Sequence, residues 1–270
     1  MTQTNPASVT RREPAEIGPL HCELPDHSSI KIIGMGGVGC VALPFLAMFL
    51  RSLRRPLRLV LIDGDAFEPG NGARMHFSQL GNKAEVKAAE LLGQSDVGQL
   101  AVVAIGQYVT PENVARLIRE GDILFLFVDN HATRKLVSDH CQRLDNVALF
   151  SGGNEGVDPP REQGTYGNVQ IALRRDGVEV TAPLTRFHPE ISNPTGGLPS
   201  ELDCGQLAVS TPQILFANMT VAVAALNAFF AYTCGRLAYQ EVTFDILEAR
   251  MLPQLPLSGG PSGRQRAAQG

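Results

Sequence analysis

Two kinds of segment alternate along the chain up to about residue 150. Nearly continuous apolar runs, such as Leu57–Ile62, are typical of strands buried on both faces of a parallel sheet. The segments between them, such as Lys83–Leu92, carry apolar residues at helical spacing. This alternation predicts a doubly wound, mostly parallel α/β sheet with right-handed crossovers. The predicted strands are Ser29–Ile33, Leu57–Ile62, Ala101–Ile105, Asp122–Val128 and Val147–Phe150, and the predicted helices are Cys40–Leu53, Lys83–Leu92, Pro111–Arg119 and Ala132–Arg143.

The pattern changes beyond residue 150. Alternating positions over Asn168–Ala182 predict a β-hairpin that turns at Asp176–Gly177, and Glu241–Leu247 predicts a last strand. Between them, an irregular stretch with several prolines predicts a crossover loop, and Ile214–Cys234 predicts a long apolar helix. Its length would suit a membrane, but polar residues interrupt it and no charged anchors flank it closely. We therefore interpret it as a buried helix of the core.

Composition narrows the function classes. We predict a flexible arm over residues 1–28, which lack the apolar core of a signal peptide. Residues 29–250 are predicted to form one domain, and residues 251–270 a disordered tail. The net charge of -4 argues against nucleic acid or an anionic membrane as partner. The five cysteines form no C-x-x-C pair, which argues against structural zinc and against a disulfide framework, and fits the cytoplasm.

A glycine cluster follows the first predicted strand. Its residues Gly34, Gly36, Gly37 and Gly39 contain G-x-G-x-x-G and lead directly into a helix, an arrangement that presents backbone N–H groups to phosphate. Asp63, after the next strand, stands where an acidic residue binds ribose hydroxyls. These features predict a nucleotide site on a Rossmann-like sheet. They leave open an NAD-dependent oxidoreductase, and a glycine turn without any ligand.

The residues after Asp63 distinguish between nucleotides. They are, in chain order, Asp63-Gly64-Asp65, Asn71, Arg74, Gly81-Asn82-Lys83 and, at a later strand end, Asp129-Asn130. This ordered set resembles the ThiF/MoeB family of adenylating enzymes, to which the ubiquitin-activating enzymes also belong. The resemblance extends from about Ile30 to Leu247.

The resemblance implies a role for each matching residue. The glycines would cradle ATP, Asp63 would bind the ribose, and Asp129 would hold Mg²⁺. Arg134 would support the loop that carries Asp129. Asp65 and Asn130 are further nucleotide-binding candidates, and Asn71, Arg74 and Lys83 would contact the triphosphate.

Elementary chemistry agrees with these roles. Attack of a carboxylate on the α-phosphate builds negative charge, which cations at Arg74 and Lys83 and a bound Mg²⁺ would stabilise. Each residue also has a simpler interpretation. Lys87, one turn beyond Lys83, competes for the same role, Arg74 could be a surface residue, and Asp129 could cap the helix that follows it.

The chain also departs from the family. The zinc-binding cysteine pairs of many members are missing, so no zinc is expected, and the arginine-bearing N-terminal helix is not recognisable, although Arg11 or Arg12 could serve. The stretch Pro199-x-x-x-Asp203-Cys204-Gly205 resembles bacterial ThiF-type proteins. We predict that Cys204, in the crossover loop, is a catalytic thiol that accepts the activated partner; a structural cysteine is the alternative.

The resemblance therefore predicts an ATP-dependent adenylyltransferase. It would activate the C-terminal carboxylate of a small ubiquitin-like or sulfur-carrier protein ending in Gly, and it would be a homodimer. The alternatives are adenylation of a small molecule or tRNA, an NAD-dependent oxidoreductase, and a non-catalytic scaffold that keeps the fold.

Overall fold

The computed structural model describes residues 21–67, 77–93, 99–158, 160, 162–201 and 213–256. The strands are β1 (Ser29–Ile33), β2 (Leu57–Ile62), β3 (Ala66–Phe67), β4 (Gly81–Asn82), β5 (Leu100–Ile105), β6 (Ile123–Leu126), β7 (Val147–Asn154), β8 (Val157–Asp158), β9 (Glu162–Gln163), β10 (Tyr166–Arg175), β11 (Val178–Glu179), β12 (Glu241–Asp245) and β13 (Arg250–Gln254). The helices are α1 (Gly37–Ser52), α2 (Lys83–Leu92), α3 (Val114–Leu117), α4 (His131–Cys141), α5 (Pro189–Ser192) and α6 (Leu215–Thr233).

A mixed sheet of nine strands forms the centre of the fold. Its order is β13-β12-β10-β7-β6-β1-β2-β5, and β11 pairs with β10. The five strands from β7 to β5 are parallel, whereas β10, β12 and β13 extend the sheet in antiparallel pairs. The chain reverses the direction of its strand order at β1, so a crevice opens beyond the carboxyl ends of β1 and β6. The predicted Rossmann-like α/β class is confirmed.

Helices cover both faces of this sheet. One apolar core joins it to α1, α2 and α6, and a second joins it to α3, α4 and α5. Phe229 of α6 meets the rings of Phe125 and Phe150 edge-on, with centroids 5.3 and 6.0 Å away. All three side chains are fully buried, and burial of one such ring contributes about 1.5–3 kcal/mol. These contacts fix α6 across β6 and β7.

The helix predicted over Pro111–Arg119 is much shorter in the structure. Only α3 is helical, because the preceding residues form a turn in which the Asn113 side chain accepts from the N–H of Thr110. At the other end Ile118 is extended and Asp122 accepts from the N–H of Arg119. Local side-chain hydrogen bonds have replaced the outer turns of the expected helix.

Ordered contacts extend a few residues beyond both ends of the predicted domain. The tail predicted to be disordered from residue 251 contains β13, which pairs with β12 from Arg250 to Gln254. Ladder hydrogen bonds to that neighbour order it. In the predicted arm, Leu24 is buried in the core and the N–H of Glu23 donates to the carbonyl of Thr233. The compact unit therefore begins before residue 29.

Helix α6 is buried on one face only. By length and composition it could cross a membrane, and 44% of its apolar window lies inside the fold. Its inner face packs on α1, β7 and β10, while Phe216 and Val223 on the outer face are 67% and 51% exposed. The expected core helix therefore also has an outer apolar face.

Candidate active site

The glycine cluster forms the turn between β1 and α1. Gly34 has a φ of +95°, and a Cβ there would lie 2.7 Å from the carbonyl oxygen of Phe127, at the end of β6. A Cβ on Gly39 would overlap the carbonyl oxygen of Gly34. Both positions therefore require glycine. Gly36, by contrast, has nothing within 4 Å of its would-be Cβ, so a ligand could approach the backbone there.

The beginning of α1 is suited to an anion. Gly36 is its N-cap, and no side chain of the described residues caps the helix, which leaves first-turn N–H groups for a bound phosphate. Behind the turn, a Cβ on Gly37 would overlap the side-chain amide of Asn218 from α6. Asn218 is fully buried and its amide has no hydrogen-bond partner among the residues that the structure describes. The core helix thus supports the glycine turn directly.

Asp63 ties the glycine turn to the loop after β2. One carboxylate oxygen accepts from the N–H of Met35 at 2.5 Å and the other from the N–H of Asp65 at 2.8 Å. Burial raises the pKa of Asp63, against the lowering effects of Lys83 and of these two N–H groups. Each oxygen keeps a second lone pair, so the carboxylate can still accept from ribose hydroxyls.

Lys83 points to the same loop from the first turn of α2. Its Nζ lies 2.7 Å from a carboxylate oxygen of Asp65, and the side chain is only 9% exposed. The side chain of Asn82, beside it, donates to the carbonyls of Asp63 and Asp65 and caps α2 by accepting from Glu85. Lys83 is thus held beside the glycine turn.

Lys87 is the alternative cation on α2. Its Nζ lies 2.7 Å from a carboxylate oxygen of Glu90 and 4.5 Å from the centre of the Phe77 ring. Lys87 is therefore engaged by its own helix and by the segment before β4, whereas Lys83 is engaged by the loop that carries Asp63. This difference favours Lys83 as the phosphate-binding lysine.

Asp129 follows β6, on the other side of the crevice. Its side chain is exposed and makes no hydrogen bond or ion pair with the described parts of the chain. The N-terminal cap of α4 comes from Asn130 and not from Asp129: the Asn130 side-chain oxygen accepts from the N–H of Thr133 at 2.7 Å. The Asn130 oxygen is therefore committed to α4, while the Asp129 carboxylate is available.

The available carboxylate fits a magnesium ion. Mg²⁺ in nucleotide sites is commonly bound through one or two carboxylates together with substrate phosphates. No group of three or more His, Cys, Asp or Glu residues that could hold a metal occurs within the described ranges. A single exposed carboxylate at the carboxyl end of β6 matches a cation that arrives with its nucleotide.

Arg134 secures the loop before Asp129. It is 6% exposed, and its guanidinium donates to the carbonyls of Val128 and Gly152 at 2.9 Å each and to the hydroxyl of Ser151 at 3.2 Å. Burial lowers the pKa of Arg134 to about 10, so it remains charged at neutral pH. The loop support implied by the family resemblance has a clear physical basis in these contacts.

Tyr108 is a site residue that the sequence did not reveal. It follows β5 by three residues, and its hydroxyl donates to the second carboxylate oxygen of Asp65. Asp63, Asp65 and Asp129 all lie close enough to influence its phenol: burial, the hydrogen bond to Asp65 and these three charges raise the pKa of Tyr108. The carboxyl ends of β2, β5 and β6 therefore converge. An aromatic residue just past a predicted strand was the only available signal.

The predicted residues Asn71, Arg74 and Cys204 lie outside the described residues. Two other cysteines are poor nucleophiles, because burial raises the pKa of Cys40 and of Cys141 to about 12.

Comparison with known proteins agrees with a nucleotide-binding site at this crevice. The ThiF family model matches residues 11–248. The chain is 30% identical over 144 residues to the adenylyltransferase and sulfurtransferase MOCS3 of Drosophila sechellia, which covers 53% of this chain and 30% of that protein. It is 33% identical over 116 residues to MOCS3 of Sus scrofa, covering 42% of this chain and 24% of that protein. The chain thus spans about a quarter to a third of the length of these relatives.

Solved structures share the fold. Escherichia coli MccB with ATP gives a TM-score of 0.61 at 16% identity, covering 85% of this chain and 64% of that chain. The microcin C7 biosynthetic enzyme MccB in complex with N-formylated MccA gives 0.64 at 17% identity, covering 87% and 66%. At these identities the likeness concerns the fold alone. The family model, however, covers far more than half of the chain, and the chain therefore belongs to the ThiF family.

Proposed function

We propose that this chain adenylates a carboxylate: it binds ATP with Mg²⁺ and transfers AMP to the C-terminus of a small carrier protein. The observation that carries the proposal is the convergence of the glycine turn, Asp63, Lys83 and Asp129 at the crevice beyond β1 and β6. Ligands of open α/β sheets bind at this point. Hydride transfer to or from a nicotinamide has no use for a buried lysine and a free carboxylate at the phosphate end.

The residues have separate roles in the reaction. The N–H groups at the start of α1 would hold phosphate oxygens, and Asp63 would hold the ribose. The carrier carboxylate attacks the α-phosphorus, the bond to the bridging oxygen breaks, and pyrophosphate leaves. Lys83 would stabilise the charge that develops, and Asn71 and Arg74 are proposed to contact the same phosphates. Asp129 would hold Mg²⁺, which supplies further charge neutralisation when bound.

The carrier is proposed to be a ubiquitin-like or sulfur-carrier protein that ends in Gly. Two lines support a protein or peptide substrate: MOCS3 relatives are named adenylyltransferase and sulfurtransferase, and MccB has been solved with MccA. A cytoplasmic location is also proposed, on the ground that the five cysteines form no C-x-x-C pair.

A covalent step at Cys204 would follow adenylation. Its thiolate would attack the acyl carbon of the adenylate and release AMP, leaving a thioester. The raised pKa values of Cys40 and Cys141 make those two residues unsuitable as the nucleophile. We expect Cys204→Ala to retain ATP–pyrophosphate exchange and to lose a reductant-sensitive adduct with the carrier on gels. An adduct that persists in the variant would place the nucleophile elsewhere.

A homodimer is also proposed. The outer apolar face of α1 and α6 comprises Phe45, Met48, Phe216, Met219 and Val223, all between 42% and 67% exposed. Contiguous exposed apolar patches of this kind mark association surfaces. Light scattering should give twice the 29.0 kDa chain mass, and Phe216→Asp should shift it to the monomer. A wild-type monomer at micromolar concentration would contradict the dimer.

Thermal denaturation with different nucleotides tests the proposed function. A ligand at 100 times its Kd that binds only the folded state stabilises it by about 2.7 kcal/mol. For a domain of this size, that is a rise of roughly 5–10 °C in the melting temperature. We expect this rise with ATP and Mg²⁺ and none with NAD. A rise with NAD alone would favour the oxidoreductase.

A further inference from the structure

The Tyr108 side chain belongs to a row of three side chains at the crevice, which two contacts connect. Its hydroxyl donates to one carboxylate oxygen of Asp65, and the other oxygen of Asp65 accepts from Lys83 Nζ at 2.7 Å. Tyr108 and Lys83 share Asp65 as a partner, and the Asp65 side chain is 43% exposed. Because both of its oxygens are engaged, this half-exposed carboxylate is restrained in one orientation. Tyr108 donates to the carboxylate oxygen of Asp65 that Lys83 does not contact.

The ring of Tyr108 is fixed by a second, independent feature. It covers Gly64, between the two aspartates, so closely that a Cβ at position 64 would overlap three of its ring atoms. Gly64 has no unusual backbone angle that would require glycine. Position 64 therefore requires glycine because the Tyr108 ring occupies the space that a side chain would need. This close packing fixes the ring, and with it the position of the hydroxyl.

We infer that Tyr108 is a positioning residue for adenylation: by fixing Asp65 it holds the Lys83 ammonium beside the phosphate site before ATP arrives. The inference rests on the proposed function. A preorganised cation stabilises developing charge without reorganising during the reaction. A long lysine side chain without this restraint would have to be ordered in every catalytic cycle, at a cost in side-chain entropy. Burial and nearby carboxylates raise the pKa of Tyr108, so its hydroxyl keeps the proton that it donates.

Kinetics of ATP–pyrophosphate exchange test the catalytic part. Tyr108→Phe removes only the hydroxyl, and we expect kcat to fall by roughly tenfold while KM for ATP changes less than about threefold, as for a contact that matters in the transition state. Gly64→Ala, which displaces the ring, should have a similar effect. The double variant Tyr108→Phe/Asp65→Ala should have the same kcat as Asp65→Ala alone. A rise in KM alone would mean that Tyr108 binds the nucleotide itself, and would overturn the inference.

Chemical labelling tests the positioning directly and needs no activity. Acetylation of Lys83 by an N-hydroxysuccinimide ester, followed by peptide mass spectrometry without ATP, should be at least threefold faster in Tyr108→Phe than in wild type. Lys87 is the internal control, because it is equally buried and is paired with Glu90. Tyr239→Phe is the control variant, since Tyr239 packs against the apolar core. An unchanged Lys83 labelling rate would overturn the inference even if exchange were slower in Tyr108→Phe. Faster labelling without any wild-type exchange would refute only the proposed function.

Discussion

Replacement of Lys83 or Asp129 by alanine is expected to lower ATP–pyrophosphate exchange by about 10² or more. Losses of this size follow from removal of one preorganised contact to transition-state charge. Lys83 approaches the crevice from α2 and Asp129 from the end of β6, so the two changes test opposite sides of one site. Arg74→Ala, predicted from the family pattern, should give a loss of the same order.

Matched controls separate chemistry from folding. Lys87→Ala removes an equally buried lysine from the same helix, one that forms an ion pair with Glu90. We expect its exchange rate to stay within about threefold of wild type. Asp129 makes no hydrogen bond or ion pair in the described regions, and its charge interacts with Arg134 only at longer range, so Asp129→Ala should lower the melting temperature only slightly. Normal exchange in Lys83→Ala and a large loss in Lys87→Ala would reverse the assignment of the two lysines.

Much of the fold follows from sequence because the parallel strands are apolar on both faces. Leu57–Ile62 and Lys83–Leu92 have the predicted bounds, and the hairpin turns at Asp176–Gly177 as expected, since both residues there take positive φ angles of 51° and 75°. These elements are determined by local periodicity or by turn chemistry. The glycine turn was equally predictable, because its backbone geometry excludes side chains.

The unpredicted features depend on contacts between distant segments. Strand β13 is exposed along its whole length and has no apolar periodicity, and only its pairing with β12 orders it. Tyr108 acts through Asp65, 43 residues earlier, and Asn218 lies against Gly37 across the core. The sequence assigned Asp129 and Asn130 similar nucleotide roles, but the structure commits the Asn130 oxygen to a helix cap. Tertiary partners, rather than residue types, distinguish these positions.

Arg134→Ala is expected to be the most destabilising single substitution in the site. It would leave the carbonyls of Val128 and Gly152 and the hydroxyl of Ser151 without their donor in a buried region. Each unsatisfied buried group costs about 1–3 kcal/mol, so the free energy of unfolding should fall by roughly 3–5 kcal/mol. For a domain of this size the melting temperature should fall by about 10 °C or more.

Arg134→Lys is the informative companion variant, because it keeps the charge and loses the planar fork. One ammonium cannot reach two carbonyls and a hydroxyl as the guanidinium does, so we expect less than half of the lost stability to return. Exchange, assayed below both melting temperatures, should also fall in both variants, since Val128 precedes Asp129 and its carbonyl accepts two of the guanidinium hydrogen bonds. Chemical denaturation and exchange measured on the same preparations check both effects. If Arg134→Lys recovered the full stability and exchange rate, the positive charge alone would be sufficient, and the planar guanidinium would not be needed to position the Asp129 loop.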